Sequence, residues 1–204
     1  MINFNANQSG PGGHLAGFLT TAGVSNLLLR DFVVQGATQA GMDLETSNGD
    51  IWCHTVKNAS AVGLRTEDAM SNNLHELFIQ DSGGIGIELS ESDANRLYFN
   101  VIERSADAGI MLHAGSDGNL VGVDAPNNVI ESGSHGIKVQ DSVGNQVKDN
   151  QVSVVTGGDG INVTNAAAAN TLDNNAIQTV TEGSGILVDN SDSQVVMNNG
   201  RPVG

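Results

Sequence analysis

The chain has 204 residues, of which 39% are hydrophobic but only 3% aromatic, so a core must be narrow and filled by Ile, Val, Leu and Ala. Its 23 acidic against 8 basic residues leave a net charge of −15, which repels phosphates and anionic lipid and sets nucleic acid and membranes aside as partners. One cysteine, Cys53, excludes an internal disulfide and reads as a small packed residue, and no run approaches the ~18 apolar residues of a membrane span.

In chain order, Met1 to Gly13 carries neither the basic nor the apolar region of a signal peptide, so an exported protein would need its address elsewhere. From Gly17 one unit repeats. A glycine followed by an apolar-x-apolar triplet opens as Gly17-Phe18-Leu19 and returns at Gly41, Gly63, Gly86, Gly109, Gly136, Gly160 and Gly185, at steps of 22 to 27 residues. Between these strands a second marker recurs as Asn26, Gly49, Asn72, Asn95, Asn119, Asn145, Asn170 and Gln194. Two residues beyond each marker stands Leu28, Ile51, Leu74, Leu97, Val121, Val147, Leu172 or Val196, the alternation of a strand with one buried face. Five residues beyond the marker a third series runs Asp31, His54, Leu77, Asn100, Asn150, Asn175 and Asn199, with Asn128 joining it after a projecting loop at 122–127 that contains Pro126.

These steps predict a single all-β domain over residues 1–204, a solenoid of roughly eight coils of 22–27 residues. Asparagine tolerates left-handed geometry at a bend, and its amide both donates and accepts, so one Asn per coil is expected to build a hydrogen-bonded ladder. Glycine before each strand is expected to serve a tight corner. Leu28, Ile51, Leu97, Val147 and Leu172 should share one buried row, and Ile87, Ile110, Ile137, Ile161 and Ile186 another.

Asn128-Val129-Ile130 followed by Gly136-Ile137-Lys138-Val139 resembles the right-handed parallel β-helix (pectate-lyase-like) superfamily, over roughly residues 17–199. The resemblance implies that fold and an extracellular or cell-surface setting. For activity it implies a choice among polysaccharide lyases, glycoside hydrolases, mannuronan epimerases, tailspikes and adhesins. Enzymes of this superfamily carry more coils and an N-terminal cap. A repeat that begins at Gly17 therefore reads as a fragment of a longer protein, or as solenoid ends covered by oligomerisation or a missing cap.

Equivalent positions of successive coils lie about 4.8 Å apart, so the repeat alignment also names neighbours. Outward on the glycine strand it aligns Asp43, Arg65, Glu88, Met111, Lys138, Asn162 and Leu187, and beside them Glu45, Glu67, Ser90 and His113. Arg65, Glu88 and His113 are the candidate catalytic residues, a cation to neutralise a sugar carboxylate and groups for proton transfer, with Asp43 and Glu67 lining the groove. The plainer reading is an ordinary charged sheet face. Outward on the other strand stand Leu29, Trp52, His75, Tyr98, Lys148 and Asp173. Trp52, His75 and Tyr98, with Arg96, are candidate sugar-binding residues, since aromatic faces bury the C–H face of a pyranose. The plainer reading is a row covered by a terminal segment or a neighbouring subunit.

Ser134-His135-Gly136 resembles the Gly-His-Gly element of polygalacturonases but departs at Ser134, and Gly157-Gly158-Asp159-Gly160 resembles one calcium-binding nonapeptide without tandem copies. Asp/Asn-rich turns offer oxygen ligands for Ca²⁺, although no spacing singles out a metal site. The expected function is to bind or process an extended polysaccharide as a lyase, hydrolase or epimerase. The alternative is a non-catalytic structural, adhesin or tailspike-like solenoid.

Overall fold

The computed structural model describes residues 2–5, 16–122, 128–178, 180–192, 194–197 and 199, so most of the inserted loop at 122–127 lies outside the described residues. Among the described residues there is no helix, and three eight-stranded parallel sheets run the length of the molecule. The first sheet holds the glycine strands, from Phe18–Leu19 through Ala40–Leu44, Val62–Glu67, Ile87–Ser90, Ile110–His113, Ile137–Gln140 and Ile161–Thr164 to Ile186–Asp189. The second runs from Leu28–Arg30 through Asp50–Trp52, Asn73–His75 and Arg96–Tyr98 to Val195–Met197. The third runs from Ile2–Asn5 through Phe32–Gln35, Thr55–Lys57, Phe78–Gln80, Val101–Ser105, Val129–Ser132 and Gln151–Val155 to Ala176–Ile177. Each coil visits the three in that order, which makes the chain a single parallel solenoid.

Alternation along each strand sends every second side chain inward, so β-branched and Leu residues stack on their equivalents. Ile87, Ile110, Ile137 and Ile161 are fully buried, as are Ile51, Leu74, Leu97, Val121, Val147 and Leu172. The third sheet adds Ile79, Ile102, Ile130 and Val152. Each such side chain contributes about 1.5–3 kcal/mol by leaving water. The last coil is the exception: Ile186 is only half-buried and Val196 is 46% exposed, because no described coil packs on their far side.

The first coil departs from the expected register by one residue. Leu28 is 66% exposed, and Leu29 rather than Leu28 aligns with Ile51. The cause lies at the preceding turn, where Asn26 adopts the left-handed φ of 54° that Asn48 adopts one coil later, so the strand frame opens at Leu27. Phe32 then takes the interior place expected for Asp31, with its ring 3.9 Å from that of His54. Asp31 becomes the exposed corner residue equivalent to Cys53, which is itself exposed and not packed.

Two asparagine ladders form. In one, the backbone N–H and side-chain Nδ2 of Asn95 both donate to Oδ1 of Asn119, as Asn72 does to Asn95 and Asn119 to Asn145. The other runs through Asn100, Asn128, Asn150, Asn175 and Asn199. The left-handed residue is not the ladder asparagine but the one before it: Ser71, Ala94, Phe99, Asp149 and Asn174 all have positive φ. The bend therefore belongs to the preceding residue, and the asparagine amide is left free to bridge coils. The strand-opening glycines have another reason than a tight corner. A Cβ on Gly86 would come within 2.5 Å of both the Gly109 carbonyl and Ile102 Cγ2, so the first and third sheets can close on each other only where Cβ is absent.

Among the described residues several buried polar side-chain atoms lack a partner, including the hydroxyls of Ser82, Ser105 and Thr66. Thr66 lies between Leu44 and Leu89 on the first sheet, fully buried, and its hydroxyl has no hydrogen-bond partner. Replacing it with isosteric valine, Thr66→Val, should raise stability by about 1 kcal/mol, because an unpaired buried hydroxyl loses its water without recompense. The check is a higher denaturant midpoint at unchanged slope; a lower midpoint would show that the hydroxyl is satisfied in solution.

Candidate functional site

On the first sheet, the pairings Asp43 with Arg65, Arg65 with Glu88 and Glu88 with Met111 place the expected row on one outward face. His113 stands on the adjoining outward row, next to Ser90. The side chains close into a chain of contacts. Arg65 Nε donates to Glu88 Oε2 at 2.9 Å, Arg65 Nη1 lies 3.8 Å from Asp43 Oδ2, and His113 Nε2 lies 3.1 Å from Glu88 Oε1. Burial opposes the Arg65 charge, but its hydrogen bond to Glu88 and the Glu88 and Asp43 carboxylates raise its pKa above the ordinary value. Glu88, with a side chain only 13% exposed, is the hub: one oxygen holds the guanidinium and the other the imidazole. A neutral His113 that donates its Nε2 proton to Glu88 keeps Nδ1 as its basic nitrogen, an arrangement suited to moving a proton. Glu67 is exposed beside Ser90 and extends the acidic surface away from this hub.

On the second sheet, Trp52, His75 and Tyr98 align in three successive coils. Trp52 and His75 rings lie 5.8 Å apart at 7°, and His75 and Tyr98 rings 4.6 Å apart at 6°. Stacked in this way, the rings turn their faces to one another and only edges remain for solvent. Arg30 lies over Trp52 at 5.7 Å and Arg96 over Tyr98 at 5.9 Å, so a guanidinium stands at each end of the stack. Asp50 Oδ1, 3.0 Å from His75 Nε2, fixes the central ring. Burial, reinforced by Asp50, raises the Tyr98 phenol pKa.

Arg30 and Asp50 are contributors that the repeat alignment did not name. The one-residue shift of the first coil puts Arg30, not Leu29, in the aromatic row; Asp50 is visible only once His75 has a rotamer. The catalytic candidates Arg65, Glu88 and His113 do come together, whereas Trp52, His75, Tyr98 and Arg96 stand on a different sheet from them. His135 serves a turn: its Nδ1 accepts the Asp159 N–H at 3.1 Å, and burial lowers its pKa. Asp159, in the glycine-rich turn, accepts from Ser184 N–H and Asn162 Nδ2. Among the described residues no three His, Cys, Asp or Glu side chains converge to hold a metal ion.

Comparison with known structures returns the same architecture. The chain is similar to a double mutant of the periplasmic alginate epimerase AlgG, at 17% identity and TM-score 0.59, over 85% of this chain and 49% of that one. It is similar to the A-module of the Azotobacter vinelandii mannuronan C-5 epimerase AlgE4, at 13% identity and TM-score 0.60, over 84% of this chain and 58% of that one. Full-length tailspike protein 2 of an Escherichia coli bacteriophage matches at 11% identity and TM-score 0.51, over 95% of this chain and 30% of that one. The chain thus spans between 30% and 58% of the length of these structures. No curated protein sequence matches it. The family model described as "Right handed beta helix region" matches residues 17–177. With three parallel sheets, inward aliphatic rows and two asparagine ladders in place, the chain belongs to the right-handed parallel β-helix family.

Proposed function

We propose that the protein binds an extended polysaccharide along the outward face of the first sheet, from Asp43 to His113, and that Glu88 and His113 move a proton at the bound sugar. The observation that carries this reading is the continuous contact chain Asp43, Arg65, Glu88, His113. Glu88 orients the imidazole while Arg65 holds the carboxylate in place. The alginate and mannuronan epimerases named above support a long sugar polymer as ligand, and such a ligand suits an extracellular or cell-surface protein. Polar edges of Trp52, His75 and Tyr98, with Arg96, form a second zone for sugar hydroxyls. Because Arg65 is already held by two carboxylates, a polyuronate would need a further cation such as Ca²⁺, whereas a neutral glycan would not.

A panel of acidic and neutral polysaccharides tests the reading through three signals: unsaturated uronate absorbance, new reducing ends, and C5 inversion by NMR. Product from one polymer is expected, with Glu88→Gln and His113→Ala each slowing turnover roughly 100- to 10,000-fold while polymer retention persists. Retention without product would make the chain a glycan-binding adhesin. Retention of no polymer would sink the proposal and leave a structural, tailspike-like solenoid, the reading that the arginine-capped aromatic stack favours.

A further inference from the structure

The outward residues of the third sheet differ in kind from those of the other two. Register pairs Val33 with Thr55, Thr55 with Phe78, Phe78 with Val101 and Val101 with Val129, so five successive coils present an apolar or methyl-bearing side chain in one row. All five are half-buried on the outer face, and Phe99, 36% exposed, adjoins them at the corner. The second outward row beside it runs Lys57, Gln80 and Glu103, and after a register shift between Ile102 and Ser105, where both Glu103 and Arg104 stand opposite it, the outward Glu131. Lys57 Nζ sits 5.4 Å from the Phe78 ring centroid, and Gln80 Nε2 donates to Glu103 Oε2 at 3.2 Å. Parallel sheets are ordinarily covered on both faces, and a contiguous apolar stripe rimmed by polar residues marks an interaction surface.

We propose that this face joins two copies of the chain as an antiparallel homodimer. The charge order of the polar row selects the occupant and its orientation: Lys57 stands at one end and Glu131 at the other, while Glu103 between them is held by Arg104 at 3.2 Å, so the ends are complementary to each other when the row is reversed. A twofold axis along the strand direction, midway between Phe78 and Val101, sets Phe78 on the partner's Val101 and Thr55 on the partner's Val129. The same axis sets Lys57 on the partner's Glu131 and Gln80 on the partner's Glu103. Every contact occurs twice, as an isologous interface requires. The −15 charge of each copy opposes association at long range, but separations beyond about 8 Å are screened at physiological ionic strength, and the opposed charges act within that distance.

Sedimentation velocity at physiological ionic strength tests this. The parent chain is expected at twice its 21.0 kDa mass. Phe78→Lys should sediment as a monomer with an unchanged circular-dichroism spectrum, since its side chain points outward. Lys57→Glu and Glu131→Lys should each be monomeric alone, because each places like charges in opposition. Mixed in equal amounts they should form a heterodimer in which both charge pairs are opposite in sign. A parent that stays at 21.0 kDa at every accessible concentration overturns the proposal. So does a dimer that survives Phe78→Lys, or a mixture of the two charge variants that remains monomeric.

Discussion

Asn119→Ala is expected to lower the unfolding free energy by about 4 kcal/mol, since two buried backbone groups lose their partners and a cavity opens beside them. Asn119 is fully buried in the middle of its ladder. Its Oδ1 accepts from the Asn95 backbone N–H at 2.8 Å and from Asn95 Nδ2 at 3.2 Å. Its Nδ2 donates to the Ser92 carbonyl at 2.9 Å and to Asn145 Oδ1 at 3.1 Å. Alanine leaves the Asn95 N–H and Ser92 carbonyl unpaired at a depth that water does not reach, and the ladder is cut in two. Lys138→Ala, outward on the first sheet, is the control and should change stability by less than about 0.5 kcal/mol. Urea titration of both variants reads the contrast. Similar losses for the two would mean that the ladder is ornamental to folding.

Acidification should destabilise the protein through His54, by about 3 kcal/mol between neutral pH and pH 4. His54 is 1% exposed, and burial holds its pKa down at about 4 from an ordinary 6.5, although the Leu29 carbonyl and Asp31 pull the other way. The folded value lies below the unfolded one, so between those pH values the unfolded chain binds the proton and the folded chain does not. Stability is therefore whole above about pH 6.5 and falls as pH drops toward 4. Carboxylates titrate over part of the same range, so the measurement is a difference: the parent against His54→Leu, with stability read at several pH values. Leucine is tolerated there because Leu77 fills the equivalent position one coil on. The variant should lose the histidine's share of the slope. Parallel pH curves for the two proteins would contradict a buried, neutral His54.

The sequence announced the coil but not where the first coil begins. From Asn72 to Asn170 the alignment places inward and outward side chains correctly, because a strand has a strict period of two and an asparagine ladder tolerates no slip. Before Asn48 no ladder anchors the count. Two frames one residue apart were open, Leu28 with Asp31 or Leu29 with Phe32. The choice fell to the second, because Phe32 can pack on His54 and Phe18 whereas Asp31 in the interior would be an unpaired charge. The glycines show the same division: their recurrence was visible, but its cause is a neighbouring carbonyl and a third-sheet side chain that come close only when the coil closes.

The candidate site divides along the same line. Spacing alone made Arg65, Glu88 and His113 neighbours, since stacking converts equal places in the repeat into equal places on a sheet. It was rotamers in the folded solenoid that made Glu88 the shared partner of both, and that turned the faces of Trp52, His75 and Tyr98 inward on one another rather than toward a sugar. By itself the sequence determined the period, the buried rows and the ladders, because each follows from strand alternation repeated along the chain. Tertiary structure decided the frame of the first coil, the closeness of the sheets and the pairing of charges and rings, because these depend on distances between residues some 23 positions apart, which only closure of the coil sets.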